Sequence, residues 1–307
     1  MDVLADALAA MRAGPVRSAR TEVRGPWGLR FPAITGASFH VVLQGSCWLL
    51  PDGGGEPLQL GTGHAVFLRH GSAHVLADDP ATPPVDFRPG RWKPGTTIGR
   101  VEIDGPGERA LLLCGAYQLG RSRPHPLTRE LPDVLHVPPG QRALGSTIDL
   151  LSGELEDYRP GRDGIVPALV DAMLLYILRA WADERAGAAP GGWASAITDP
   201  AISAALAALH EEPGRLWTVQ ELGSRAGLSR SAFAERFTGL VGEPPLTYLT
   251  WWRMTTAARL LLESDAPLSA VAAQVGYQSE FAFAKAFKRE YGLAPGRYRR
   301  AERSQAG

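Results

Sequence analysis

One unit of sequence occurs twice in the last third of this chain, and that repetition restricts the fold more than any other feature. Val219, Leu222, Ala226 and Gly227 recur as Leu268, Val271, Val275 and Gly276 at an offset of 49 residues. Ser229, Phe233, Phe237, Gly242 and Pro245 recur as Ser279, Phe283, Phe287, Gly292 and Pro295 at an offset of 50, so the second copy has a turn one residue longer. Each copy reads as helix, tight turn, helix. In the first, Thr218 is placed to cap a short helix that carries Val219, Leu222 and Ala226 on one face. Gly227 suits the left-handed conformation that ends it. Ser229 then caps a second helix, whose Phe233 and Phe237 lie four apart and share a face. Two packed hairpins with no ligand are the plainer alternative. The repeated glycine turn and serine cap favour a pair of recognition helices.

Between the copies, Leu246 to Glu263 carries a helical stripe of Tyr248, Leu249, Trp252, Ala257, Leu260 and Leu261. A helix of that size is about 27 Å long, on the scale of the roughly 34 Å between successive major grooves on one side of B-DNA. With the phenylalanines inward, Arg230, Ser231, Ala232, Glu235 and Arg236 become base-contact candidates on the first helix. Glu280, Phe281, Ala282 and Lys285 are the candidates on the second. Arg or Lys can read guanine, Glu can accept from cytosine, and Phe or Ala can pack on a thymine methyl. Arg253, Lys288, Arg289, Arg297 and Arg299 are candidates for phosphate contacts, which position without specifying. Charge agrees in sign. The whole chain of 307 residues balances 32 basic against 32 acidic side chains, but Pro200 to Gly307 holds 13 against 10.

The segment Gly227-Leu228-Ser229, Phe233, Phe237, Gly242-Glu243-Pro244-Pro245, Tyr248-Leu249, Trp252-Arg253-Met254 and Ala257 resembles the DNA-binding domain of the AraC/XylS family. So does Val275-Gly276-Tyr277-Gln278-Ser279, with Phe283, Phe287-Lys288, Gly292, Pro295, Tyr298 and Arg299. The resemblance implies seven helices, action as a homodimer or monomer on double-stranded promoter DNA, and contact with RNA polymerase. Where relatives often carry a basic or long polar residue, this chain has Glu235, which puts the base contacts of the first helix in question.

The front half changes pattern. Short β-rich runs at Phe39–Leu43, Cys47–Leu50, Ala65–Leu68, His74–Leu76 and Ala110–Leu113, with a hairpin loop at Asp52-Gly53-Gly54-Gly55, predict a small jelly roll or barrel. Pro80 to Gly107 reads as a long mobile excursion. Gly45-Ser46-Cys47-Trp48-Leu49, Leu60-Gly61-Thr62-Gly63 and Gly71-Ser72-Ala73-His74-Val75-Leu76 resemble a cupin-type sensor domain found in one branch of AraC-type regulators. Leu112-Leu113-Cys114-Gly115-Ala116-Tyr117, His125-Pro126-Leu127 and Leu131-Pro132 extend the match. Helices are expected at Gln141–Tyr158, lined by Leu150, Leu151 and Leu155, and at Gly164–Arg185, lined by Leu169, Met173, Tyr176 and Ile177. They cover the barrel or pair two protomers. The expected fold is multi-domain α+β. A cupin-like β-barrel or jelly roll with flanking helices spans 5–186, a flexible linker 187–198, and an all-α, seven-helix, double helix-turn-helix domain 199–301.

A cupin fold also hosts metal enzymes, but those need three or four converging His or carboxylate ligands. His40 has no partner two residues on, and His64, His70 and His74 are spaced like surface and loop residues. No enzyme activity and no cofactor are expected. Two cysteines make no disulfide framework. Cys47 and Cys114 read either as buried small hydrophobes or, with His40, as a signal site in which an accessible, low-pKa thiolate is oxidised. A zinc site from Cys47, Cys114 and His40 or His125 is the third option. The signal is expected to be a small molecule or an oxidant. No apolar run reads as long enough to cross a bilayer, and the first residues (Leu4, Leu8, Met11) suit an amphipathic helix better than a signal peptide. The expected location is the cytoplasm, with no membrane partner.

Overall fold

A computed structural model describes residues 2–11, 16–88, 98–117, 125–157, 159–188 and 191–306. The chain divides into two compact units, one gathering residues 1–13, 120–130 and 182–307 and the other 14–119 and 131–181.

After helix α1 (Val3–Met11), the chain lays down β1 (Arg17–Arg24), β2 (Gly28–Phe31), β3 (Ala37–Gln44), β4 (Ser46–Pro51) and β5 (Leu58–Gly61). There follow β6 (Ala65–Leu68), β7 (His74–Ala77), β8 (Val85–Asp86), β9 (Ile98–Ile103) and β10 (Arg109–Tyr117). Helix α2 (Pro126–Glu130) precedes β11 (Val134–Val137), α3 (Arg142–Glu156) and α4 (Arg162–Ala188). The strands form a six-stranded sheet in the order β11-β6-β3-β10-β1-β9 and a five-stranded sheet in the order β5-β4-β7-β2-β8. Both supply one core. Ala110, Leu112 and Cys114 alternate inward from β10 and meet Leu29 and Phe31 of β2, Leu49 of β4 and Leu76 of β7.

The five expected strands are present. Strand β1 is not legible in the sequence because Arg17, Arg20, Glu22 and Arg24 obscure the alternation of Ala19, Thr21 and Val23, which are buried. Its one acid serves two arginines: Arg20 Nη1 lies 2.6 Å from Glu22, and Arg109 Nε of β10 donates to Glu22 at 2.6 Å. The excursion at Pro80–Gly107 carries strands at both ends, β8 and β9, and its residues 89–97 lie outside the described set.

Helix α3 buries Leu144, Ile148, Leu151 and Leu155. Leu150, expected in that stripe, is 59% exposed. Its place one residue before Leu151 turns it about 100° off the buried face. In α4, Val166, Val170, Met173, Leu174 and Ile177 are buried, and the Tyr117 hydroxyl donates to the Val170 carbonyl at 3.4 Å. The stretch Arg162–Arg185 is long and apolar enough to cross a bilayer by length and composition, contrary to expectation, and half of it is buried inside the fold.

The expected linker also needs correction. Within 187–198, Gly192–Thr198 forms helix α5, with Trp193 fully buried and its backbone N–H donated to the Glu130 carboxylate at 2.8 and 2.9 Å. The glycines suggested slack, but one tryptophan anchors the segment. Seven further helices follow: α6 (Pro200–Glu211), α7 (Val219–Arg225), α8 (Arg230–Val241), α9 (Pro245–Glu263), α10 (Leu268–Gln274), α11 (Glu280–Tyr291) and α12 (Pro295–Ala306).

Candidate nucleic-acid interface

The two hairpins are α7 with α8 and α10 with α11. Thr218 starts α7 with a capping box: its Oγ1 accepts from Glu221 N at 3.1 Å, while Thr218 N donates back to the Glu221 carboxylate at 3.3 Å. The chain then turns through Gly227 at φ +67°. Ser229 Oγ accepts from Ala232 N at 3.3 Å to open α8. In the second copy Gly276 turns at φ +80°, and Ser279 Oγ accepts from Ala282 N at 3.4 Å to open α11.

Phe233, Phe237, Phe283 and Phe287 are all fully buried. That fixes the outward faces. On α8, Arg230, Ser231, Ala232, Glu235 and Arg236 are exposed; on α11, Glu280, Phe281, Ala282 and Lys285 are exposed. Phe281 is 80% exposed, an unusual cost for a large apolar side chain. Helix α9, with 19 residues, joins the hairpins and buries Tyr248, Leu249, Trp252, Ala257 and Leu261.

Three arginines are committed elsewhere. Arg236 Nε donates to Asp199 Oδ2 at 2.8 Å, tying α8 to the N-cap of α6. Burial works to raise the Asp199 pKa, but hydrogen bonds from Ile202 N and Arg236 outweigh it and hold the carboxyl below its usual value. Arg253 donates to the Pro213 and Arg215 carbonyls at 2.6 and 2.8 Å. Arg299 donates to the Leu261 and Ala266 carbonyls at 3.1 and 2.6 Å. Arg253 and Arg299 therefore brace helix ends instead of presenting their donors to phosphate. Sequence could not separate them from Lys288, Arg289 and Arg297, which are exposed.

The same unit holds a cluster that no sequence pattern announced. His210 of α6 stacks on Trp252 at 3.7 Å, its Nε2 lies 2.6 Å from the Tyr248 hydroxyl, and its Nδ1 lies 3.2 Å from Asp6 Oδ2 of α1. Burial lowers the pKa of His210, with Asp6 acting in the opposite sense. His125 is buried edge-on against Trp193 and Trp251, and its Nδ1 accepts from Leu127 N at 3.0 Å. Residues 6 and 210 are too far apart in sequence for any local signal.

In the β-rich unit, Cys47 and Cys114 are buried, and burial pushes both thiols up to about 12. Of the alternatives the sequence leaves open, the structure matches the buried small hydrophobe and not the accessible, low-pKa thiolate, because both cysteines sit on inward positions of their strands. The alternative zinc set of Cys47, Cys114 and His40 or His125 does not assemble among the described residues either. Among the described residues no group of three His, Cys, Asp or Glu side chains is placed to hold a metal ion. His40 instead meets His74, buried and not on the surface as expected, with their Nε2 atoms 2.7 Å apart.

A two-sheet β-sandwich joined to helical hairpins with polar outer faces defines a DNA-binding transcription regulator of modular build. A cupin family model matches residues 2–183, and a helix-turn-helix domain model matches residues 222–301. The chain is 36% identical to a putative AraC-like transcription regulator of Streptomyces lividans, over 98% of each chain. It is 32% identical to the RCS-specific HTH-type transcriptional activator RclR of Escherichia coli, over 85% of this chain and 92% of that one. Among solved structures, the DNA-binding domain of AdpA in complex with a target DNA matches at 36% identity, covering 35% of this chain and 96% of that one with a TM-score of 0.33. The chain belongs to the AraC-type transcription regulators that carry an N-terminal cupin domain.

Proposed function

We propose that this regulator reads two successive major grooves of a promoter, with α8 in one and α11 in the next. It works as a homodimer in the cytoplasm, receives its signal in the cupin unit and contacts RNA polymerase. The observation that carries the reading is the pairing, in both hairpins, of a fully buried phenylalanine pair with an exposed polar face. In a hairpin that only packed, nothing would keep Phe281 beside Lys285 in solvent. Lys285 reads a base or a phosphate, and Phe281 and Ala282 pack on thymine methyls. Lys288, Arg289 and Arg297 bind phosphates, and Arg230 and Ser231 supply the contacts of α8. The exposed Leu150 and Ile165 of α3 and α4 fit a self-complementary dimer face.

For the signal, a small molecule fits the buried neutral thiols better than direct oxidation does, because oxidation needs an accessible thiolate. No metal and no enzymatic step are part of this reading. The test is a gel shift with the DNA upstream of the protein's own gene, run across a salt series. Binding that weakens steeply with salt supports the reading. Equal affinity for every duplex at all salt concentrations overturns it.

A further inference from the structure

The β-rich unit brings together two histidines that lie 72 residues apart in the chain. His64 Nδ1 and His136 Nε2 are 2.9 Å from each other, and the rings stack with centroids 5.1 Å apart and planes inclined at 24°. Both side chains are half-buried, so the pair lies where solvent reaches it.

Each backbone is held in place. The His64 N–H donates to the Gly61 carbonyl at 3.0 Å, and the His64 carbonyl accepts from Val42 N at 3.0 Å. Thr62 Oγ1 pins the same turn by donating to the Gly45 carbonyl at 3.1 Å. His136 lies in β11, the edge strand of the six-stranded sheet, in register with Val66 of β6. Two rings carried by separately braced backbones form a preorganised pair.

A hydrogen bond is the simplest use of the contact, with one facing nitrogen carrying a proton and the other accepting it. The geometry also suits a metal ion. A metal such as zinc binds an imidazole nitrogen at about 2.0–2.1 Å, and two such bonds at a right angle put their nitrogens about 2.9 Å apart. The observed separation is therefore that of neighbouring positions in square-planar or octahedral coordination. A tetrahedral angle needs about 3.3 Å, which would force the rings apart. Loading costs no net proton. The ring that now carries hydrogen on its facing nitrogen releases it and takes one up on its outer nitrogen, so both neutral rings offer a lone pair.

We propose that His64 and His136 form a two-histidine site for a divalent transition-metal ion, Cu2+ before Ni2+. Imidazole nitrogen without carboxylate selects these ions over Ca2+ and Mg2+, which need oxygen ligands. Water fills the remaining positions, since no third His, Cys, Asp or Glu side chain joins the pair among the described residues. The site stands apart from the buried cysteines and from the regulator reading.

The test is calorimetry on the full chain with Cu2+, Ni2+ and Zn2+ chlorides at about pH 7.5, above the ordinary imidazole value of about 6.5. The expected result is one saturable Cu2+ site, with Ni2+ and Zn2+ both weaker. His64→Asn and His136→Asn should each weaken Cu2+ binding by more than about tenfold, the loss that even an outer-shell contact causes. His70→Asn, at an exposed histidine outside the pair, should change nothing. No saturable Cu2+ binding overturns the proposal. Binding that is unchanged in either pair variant does so too, because the ion is then an adventitious ion only. Electron paramagnetic resonance of the unaltered chain with one equivalent of Cu2+ needs no variant to fold. Splitting from two nitrogens supports the site, and splitting from one or none overturns it.

Discussion

The two hairpins share a skeleton and differ in what they show to solvent. Each has a glycine at positive φ, a serine cap and two buried phenylalanines. The first presents Glu235, with Arg236 already paired to Asp199. The second presents Phe281 and Lys285, with Lys288 and Arg289 along the same helix. Their turns also differ in tolerance. A Cβ on Gly227 would meet nothing within 4 Å, whereas one on Gly276 would stand 2.6 Å from the Gly214 carbonyl oxygen. Duplication thus preserved the packing and let the outer chemistry diverge. If both helices meet DNA as proposed, the second hairpin is expected to supply the larger share of the affinity, with Arg230 and Ser231 supplying the smaller share of the first.

The largest effect tests whether the skeletons are equivalent. Phe283→Ala and Phe233→Ala should each cost about 3–5 kcal/mol in urea unfolding, since each deletes a fully buried ring. A cost well below that at one site alone would break the symmetry. Next is the α9 spacer, which both hairpins share and against which His210 stacks. His210 has a lowered pKa when folded, so its stabilising share is complete above its unfolded value of about 6.5 and is lost as pH falls through the folded one. Melting temperature should therefore drop between pH 7.5 and 5.5, and His210→Gln should flatten that slope. An identical slope in the variant assigns the effect to other groups.

The reading faces come third. Lys285→Ala should cost about 1–3 kcal/mol of promoter binding and reduce the salt slope by about 1. Glu235→Ala should leave affinity equal or higher, because it removes a negative charge from a face turned to phosphates. If the two substitutions weaken binding equally in a titrated gel shift, the asymmetry is wrong. Smaller still is the cap. Thr218→Ala should cost about 1 kcal/mol of stability, while α10, whose N-cap Pro267 makes no side-chain cap bond, has none to lose. The smallest is Arg236→Ala. Its ion pair with Asp199 is half-exposed on the arginine side, and Asp199 keeps its hydrogen bonds from Ala201 N and Ile202 N when the pair is lost, so the pair is worth about 1 kcal/mol or less. Unfolding curves separate those two effects, and the reverse order would place more weight on the α6–α8 tie than its exposure allows.

Sequence by itself determined the local elements of the helical unit. The offset repeat, the Ser caps, the turn glycines and the phenylalanine spacing are short-range signals, because a cap or an amphipathic face is settled within a turn or two of helix. It also determined which halves of α8 and α11 face out. What it could not reach depends on partners distant in the chain. Arg253 and Arg299 look like any surface cation until folding brings carbonyls some 40 and 38 residues away within reach. Trp193 lies in a glycine-rich run that reads as linker, and only the fold brings Glu130 to its backbone N–H. His40 and His74, 34 residues apart, become a pair only because two sheets close on each other. Burial and hydrogen-bond satisfaction are properties of the closed fold. They decided which charges remain available to DNA and which polar atoms remain without a partner.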